Sequence, residues 1–399
     1  KIDDPSTAAI RRDGYARIGY ADGIDIGVDL AVAQRLGLLR GGQFGGELQQ
    51  VMLSSINFEI GDMCRTLKVH RRLIYEVVIV GNATMRDILF GIDVQSIGEK
   101  PYKSLTEHDF MAGKRQTTSI STRAEDLGIR VFPDARIYGG PLVGSHVGAD
   151  VAADLLAVGM DEEDDVVMLV DVGTNTEVVV GNQERMLAAS CPAGPAFEGG
   201  EVKYGMPGYE GAIESVQISG SNVVHRTIGG ARPDGICGSG LVDLLAELRR
   251  EGVMNELGVF ADGSGSFVIH SESGMDLSRA DISALAQAKS ANYCGQRIVL
   301  RSYGVSTRQI KRLYLAGGFA NYVNVGNASA IGFIANVNPE RVSKVGNVSL
   351  EGATLMLTSA RMRRVAEEMV RKIEHVELET TDDFFDLFVE GCMFKPMRD

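Results

Sequence analysis

The sequence predicts an α/β protein of two lobes, each a mixed sheet flanked by helices. Three observations carry this. The chain has 399 residues, 44% of them hydrophobic, which is too long for one ordinary core and apolar enough for two. Short apolar strands alternate with segments of helical period. One local pattern also occurs twice: Glu76-Val-Val-Ile-Val80 runs into Gly81-Asn82-Ala83, and Arg312-Leu-Tyr-Leu-Ala316 runs into Gly317-Gly318-Phe319. Each is a polar residue, an apolar strand and a sharp turn of small residues after a long helix, and two related lobes explain the echo economically. The expected divisions are a weakly patterned segment 1–45, a first lobe 46–160, a second lobe 161–345, and a C-terminal helix and strand, 346–399, that pack back on the lobes.

The elements follow in order. Apolar residues at helical spacing (Leu48, Val51, Met52, Ile56, Ile60, Met63, Leu67) predict a helix over 46–70. Residues 75–80 read as a buried strand and 85–90 as the start of a helix. The stretch 95–125 is polar and reads as loop-rich. A strand is expected over 131–138, and after Gly139-Gly140-Pro141 a Gly/Ala-rich helix over 147–158. The acidic run Asp161-Glu-Glu-Asp-Asp165 is a solvated connection at the lobe boundary. A hairpin spans 166–182, a third strand 185–190, and a second hairpin 216–227 turns at Gly220-Ser221. Helices are expected over 241–250, 282–303 and 350–373, strands over 310–316 and 375–380, and a final helical turn over 384–389.

Composition excludes several classes. A net charge of −13 argues against a protein that grips nucleic-acid backbones, which needs basic patches. Cys64, Cys191, Cys237, Cys294 and Cys392 are dispersed, Cys191 and Cys237 being the nearest pair in sequence. There is therefore no Cys-x-x-Cys site, and the odd number fits a reducing, cytoplasmic compartment. The six histidines are equally scattered, no apolar run reaches membrane-spanning length, and no signal peptide is visible. The first residue is Lys, so the chain is expected to be a fragment or a proteolysed product.

The chemistry concentrates in residues 166–177, Val-Val-Met-Leu-Val-Asp-Val-Gly-Thr-Asn-Thr-Glu. A strand runs into Asp171, a turn needs Gly173, and Thr174, Asn175 and Thr176 supply hydroxyl and amide groups before a second strand. Successive backbone N–H groups at such a tip make an anion-binding concavity, and Asp171 is placed to hold a hydrated Mg²⁺. Glu177 lies just past the tip. Glu198 sits in the compact loop Ala193-Gly-Pro-Ala-Phe-Glu-Gly-Gly200, and either carboxylate would orient water. Gly238, Ser239 and Gly240 open a helix whose N-terminus would hold phosphate or ribose, the alternative being a flexible loop with Ser239 as N-cap. Gly317 and Gly318, with Phe319, would let the backbone approach a flat ligand. No Gly-x-x-x-x-Gly-Lys-Ser/Thr loop occurs, which disfavours a P-loop NTPase.

Taken in order, these motifs resemble those of the acetate and sugar kinase, heat-shock chaperone and actin superfamily. That resemblance implies two ribonuclease H-like lobes around a nucleotide cleft. Asp171 to Thr176 would then be the second phosphate motif, Leu315 to Phe319 the adenosine motif and Gly346 to Ala353 the second connecting motif. Together with Val80-Gly-Asn-Ala-Thr-Met85, Cys191-Pro-Ala-Gly-Pro-Ala-Phe-Glu-Gly199 and Gly346-Asn-Val-Ser-Leu-Glu-Gly352, the chain over 46–399 is similar to the C-terminal part of the ferredoxin-fused reductive activators of corrinoid proteins. The resemblance implies ATP and Mg²⁺ as ligands and a corrinoid protein as partner, with a homodimer as a further expectation and neither nucleic acid nor membrane as a partner. ATP would help return Co(II) to Co(I), the electron coming from an iron–sulfur domain that this chain's cysteines do not supply. Two other readings are a small-molecule kinase of the same fold and a non-catalytic reactivation scaffold. The first-lobe hairpin of the superfamily has its nearest counterpart in Asp25-Ile-Gly-Val-Asp29, where Val28 replaces the expected Thr.

Overall fold

A computed structural model describes residues 46–398, apart from Ser221 and Phe319. The 1–45 segment with Asp25–Asp29, and the Phe319 assignment, lie outside the described residues. In chain order the elements are α1 (Glu47–Leu67), β1 (Glu76–Ile79), α2 (Ala83–Leu89), α3 (Leu105–Met111), β2 (Ile120–Arg123), β3 (Arg136–Gly139), α4 (Ala149–Val158), then β4 (Val167–Val172), β5 (Thr176–Gly181) and β6 (Met186–Cys191). There follow β7 (Ala212–Ser219), β8 (Asn222–Thr227), α5 (Gly238–Arg250), β9 (Ser266–His270), β10 (Met275–Ser278), α6 (Arg279–Tyr303), β11 (Leu313–Ala316), α7 (Val325–Ala330) and β12 (Val342–Gly346). The last elements are α8 (Val348–Thr358), α9 (Ala360–Met369), β13 (Ile373–His375) and α10 (Phe384–Gly391).

Two compact units result, one made of residues up to Asp161 with Val348–His375, the other of Glu162–Asn347 with Val376–Asp399. The segment expected to pack back on the lobes is thus divided between them. In the second unit the strands run β12-β11-β4-β5-β6. β4, β5 and β6 are antiparallel neighbours, whereas β11 runs parallel to β4 and β12. Numbered by appearance in this sheet, the order is 3-2-1-4-5, the mixed arrangement expected of a ribonuclease H-like lobe. β4 and β5 are almost wholly buried, as strands covered on both faces must be, and their continuous Val/Met/Leu runs follow from that. In the first unit β1 pairs in parallel with β3, and β2 antiparallel with β3. The repeated pattern corresponds to a shared local arrangement: β1 and β11 each follow a long helix, α1 and α6, and each pairs in parallel with a later strand, β3 and β12 respectively.

Three expectations need correction, and one element was missed. Residues 95–125 are not mainly loop: Ser104 caps α3, its hydroxyl accepting from Thr106 N (3.0 Å) while Glu107 accepts from Ser104 N (2.9 Å). This is a capping box that competes successfully with the local polarity. The long helix over 350–373 is two helices, because Ser359 is extended and its hydroxyl accepts from Met362 N to start α9. The strand placed at 375–380 is instead β13, followed by a 3-10 turn at Leu378–Thr380. The hairpin β9–β10 was not foreseen.

α10 and the residues after it are clasped to α6 by Lys289, which is fully buried. Its Nζ donates to the carbonyls of Gly391 and of Met393, the latter at 2.9 Å, and lies 5.7 Å from the Tyr293 ring centre and 5.5 Å from that of Phe394. Burial pulls its pKa down from 10.5 to about 7. The folded value is below the unfolded one, so the penalty for holding the protonated amine is full below pH 7 and is relieved as pH rises towards 10.5. Relative to Lys289→Met, the native chain is therefore expected to gain up to about 1.4 kcal/mol of stability per pH unit above neutrality. Urea unfolding of both proteins at about pH 7 and about pH 9 measures this, and a pH-independent difference between them would refute it.

Candidate functional site

The second unit gathers most of the chemistry-bearing residues at one end of its sheet. Cross-strand register sets Ala316 of β11 opposite Asp171 of β4, Asp171 opposite Glu177 of β5, and Glu177 opposite Ser190 of β6. Directly opposed residues share a sheet face, so two carboxylates and a hydroxyl form a row across it. Ser190 Oγ donates to Glu177 Oε1 at 3.0 Å, and Glu177 is 6% exposed. Asp171 is half-buried.

Beyond Val172 the chain turns through Gly173, Thr174 and Asn175, closed by Gly173 N donating to the Asn175 carbonyl (3.1 Å). The loop carrying Glu198 folds against this tip. Gly194 N donates to the Thr174 carbonyl (2.8 Å), and Thr174 Oγ1 donates to Glu198 Oε2. A Cβ on Gly173 would lie 3.7 Å from Glu198 Oε1. The Glu198 turn is anchored from behind by Phe197, 5% exposed, whose ring meets Phe333 at 4.8 Å. Apolar burial on one side of a short turn thus aims its carboxylate at the hairpin tip.

Gly317 lies against the same hairpin. Its φ is +112°, and a Cβ there would stand 2.1 Å from the Val172 carbonyl oxygen, so only glycine fits. Its N–H donates to the Gly346 carbonyl at 3.0 Å, and Gly318 beside it is exposed. The phosphate-type hairpin and the Gly-Gly turn, separated by well over a hundred residues, are therefore adjacent.

Two other sequence-predicted groups are placed differently. Thr176 is 1% exposed, with its hydroxyl buried and unpartnered among the described residues. By strand alternation it shares the face of buried Val178 and Val180, away from Asp171 and Glu177. Gly238, Ser239 and Gly240 form the first turn of α5 rather than a flexible loop, and the N-cap is Cys237, not Ser239. Ser239 is fully buried and its Oγ donates to the Glu214 carbonyl (2.9 Å), while a Cβ on Gly240 would come within 2.3 Å of the Ile213 carbonyl. These residues let the helix approach β7 closely. Sequence reading did not single out Asp243, one turn further on. It is 7% exposed, accepts from Asn327 Nδ2 of α7 (2.8 Å) and Val216 N (3.4 Å), and burial raises its pKa. Two carboxylates four residues apart, Asp243 and Glu247, among the apolar residues of one helix were the available signal.

The donor set suits a hydrated hard cation accompanied by phosphate oxygens. Among the described residues no three His, Cys, Asp or Glu side chains converge to hold a metal ion directly, whereas Mg²⁺ ordinarily keeps several waters and one or two carboxylates. The five cysteines are free. No helix among the described residues is long and apolar enough to cross a membrane.

Residues 165–399 match the family profile described as the C-terminal domain of RACo, the ASKHA domain, and residues 32–163 match the RACo middle region. The chain is 28% identical over 372 residues to the corrinoid activation enzyme RamQ of Eubacterium limosum, covering 87% of this chain and 61% of that protein. It is 23% identical over 314 residues to the Co(II) methylated amine-specific corrinoid protein reductase of Methanosarcina barkeri, covering 70% and 57% respectively. A solved reductive activator for corrinoid, iron-sulfur protein aligns with a TM-score of 0.79 at 32% identity, over 98% of this chain and 61% of that one. The chain thus spans about three-fifths of the length of the relatives it matches. With an actin-like sheet order in its second unit and a profile match over more than half of its residues, the chain belongs to the family of the RACo C-terminal ASKHA domain.

Proposed function

We propose that this chain is the ATP-binding and ATP-hydrolysing module of a reductive activator that helps return a Co(II) corrinoid protein to Co(I) in the cytoplasm. The electron would come from an iron–sulfur centre that its five dispersed cysteines do not build. The observation that carries the nucleotide part is the convergence of Thr174, Glu198 and Gly317 on one hairpin tip. The corrinoid part is supported by the names of the relatives, which act on such proteins.

Mg-ATP, when bound, would supply the phosphoanhydride free energy. The rest is work for the protein's own groups. The N–H groups of Thr174 and Asn175, at the tip that the Gly173 N–H closes, would bind and orient phosphate oxygens. Asp171 would hold a hydrated Mg²⁺ through one of the ion's waters, and the ion would supply positive charge to the phosphate oxygens. Glu198, fixed by Thr174, accepts the proton of the attacking water, with Glu177 the second carboxylate on that face. Gly317 and Gly318 give the adenosine side its clearance. Positioning and charge stabilisation of this kind account for most catalysis of phosphoryl transfer.

Calorimetric titration of the full chain with Mg-ATP tests the reading. Saturable heat is expected, with affinity weakened about 10–100-fold in Asp171→Ala, the usual effect of losing a group that orients a metal's shell. Glu198→Gln should keep binding and slow phosphate release. Absence of any heat in the native chain would overturn the nucleotide assignment, and acceptor-dependent phosphate transfer to a small molecule would replace the activator reading by a kinase.

A further inference from the structure

The first unit contains a cavity of about 220 Å³ that the nucleotide reading does not use, with Phe110, Leu142, Val370 and Ile373 among its apolar lining and Lys103, Arg371 and His375 among its polar lining. Drug-sized sites are larger, roughly 300–1,000 Å³, so an occupant would be small.

The charged groups around it are unevenly paired. Both carboxylates at the wall are already engaged. Glu107 accepts from Ser145 N (3.0 Å) and Ser104 N (2.9 Å) and pairs with Lys103 at 3.5 Å. Glu367 accepts from Ser119 Oγ (2.7 Å) and from the Tyr138 hydroxyl (2.9 Å). Arg371 has no carboxylate partner among the described residues, yet its guanidinium is fixed: its carbon lies 5.7 Å from the Phe110 ring centre, and Nη2 donates to the Gln116 carbonyl at 2.5 Å. A planar fork held in this manner suits bidentate recognition of a carboxylate. Burial, with Lys103 and His146 nearby, pushes the His375 pKa down to about 4.

Strain lies next to two lining residues, Ser145 following Gly144 and Tyr102 preceding Lys103. Ser145 and Tyr102 are two of only four non-glycine residues with positive φ among those described, at +52° and +58°. Ser145 is 1% exposed, its hydroxyl without a hydrogen-bond partner among the described residues, and the Tyr102 and His146 ring centres are 5.7 Å apart. Residues held in such conformations persist where the surroundings over-determine them, and they cluster at ligand sites.

We infer that this cavity binds a small organic anion, its carboxylate on the Arg371 fork and its aliphatic body against Phe110, Leu142, Val370 and Ile373. Recognition is by charge and apolar contact together, so a bare anion and an alkyl cation should each fail.

Hexanoate is the probe, titrated into the full chain and followed by calorimetry and by the His375 ring-proton resonance. Binding with a Kd on the order of 1 mM is expected for a ligand of this size, accompanied by an upward shift in the His375 titration. Acetate and hexylammonium should bind at least about tenfold more weakly. Arg371→Ala should weaken hexanoate by about tenfold or more, with Arg371→Lys between the two. Arg371 is exposed, so both variants should keep the native melting temperature. Met111→Glu, at an exposed lining position, should abolish binding by like-charge repulsion. Hexanoate binding unchanged in Arg371→Ala, equal binding of hexylammonium, or no saturation with an unmoved His375 resonance would each overturn the inference.

Discussion

Gly317→Val is expected to eliminate Mg-ATP binding altogether and to lower stability by roughly 2–5 kcal/mol, the sum of positive-φ strain on a β-branched residue and of overpacking. The new Cβ would meet the Val172 carbonyl at 2.1 Å, and neither backbone has room to yield, because Gly317 N is bonded to Gly346 and Val172 is paired with Thr176. Val172 is the last residue before the tip, so any displacement there moves Thr174 relative to Glu198. Thermal unfolding and calorimetry on the same sample separate loss of fold from loss of binding. Gly265→Ala, where nothing lies within 4 Å of the added Cβ, should change neither. A folded Gly317→Val protein that binds Mg-ATP with native affinity would show that the adjacency of turn and hairpin has no part in nucleotide binding.

Arg86→Ala should cost about 3–5 kcal/mol, the usual penalty for leaving a buried charge without its partner. Arg86 and Asp87 are both fully buried in the first unit. The guanidinium donates to Asp87 Oδ1 (2.7 and 3.0 Å), to the carbonyls of Thr118 (2.9 Å) and Gly140 (3.0 Å), and to Thr106 Oγ1 (2.8 Å). Ser104 Oγ donates to the other Asp87 oxygen at 2.5 Å. One side chain therefore ties α2 to the cap of α3 and to the ends of β2 and β3. The double variant Arg86→Ala/Asp87→Ala should lose less than the two single losses added together, because the stranded carboxylate is gone. Strict additivity in chemical denaturation would argue that the pair is not coupled.

The parts of the fold that were readable in the sequence are those whose pattern is local. Two apolar strands around Asp171-Val-Gly-Thr-Asn announced β4 and β5, and the run at 313–316 announced β11, because strands covered on both faces need uninterrupted apolar side chains. The adjacency of Gly317 to the hairpin followed from the motif order, through the resemblance, rather than from any local signal. Thr176 was misplaced for a simple reason: it was read as part of the turn, whereas β5 begins at Thr176, and period two then puts that hydroxyl with Val178 and Val180. The role of Gly240 was invisible because the reason for a glycine there is the Ile213 carbonyl, which is distant in sequence. α3 was hidden by its few apolar residues, although Ser104-Leu-Thr-Glu107 carried a legible cap.

The allocation of residues 348–399 to both units has a consequence for biosynthesis. On the ribosome, the sheet β12-β11-β4-β5-β6 can form its hydrogen bonds before α10 and its Lys289 clasp exist, and β1, β2 and β3 can emerge long before α8 arrives to seat Ser349 on Asp154 (2.6 Å). Each half then waits, with apolar surface uncovered, for the same late stretch of polypeptide. Such a nascent chain is exposed to aggregation over most of its synthesis, and a premature stop within this stretch would leave both halves unfinished at once.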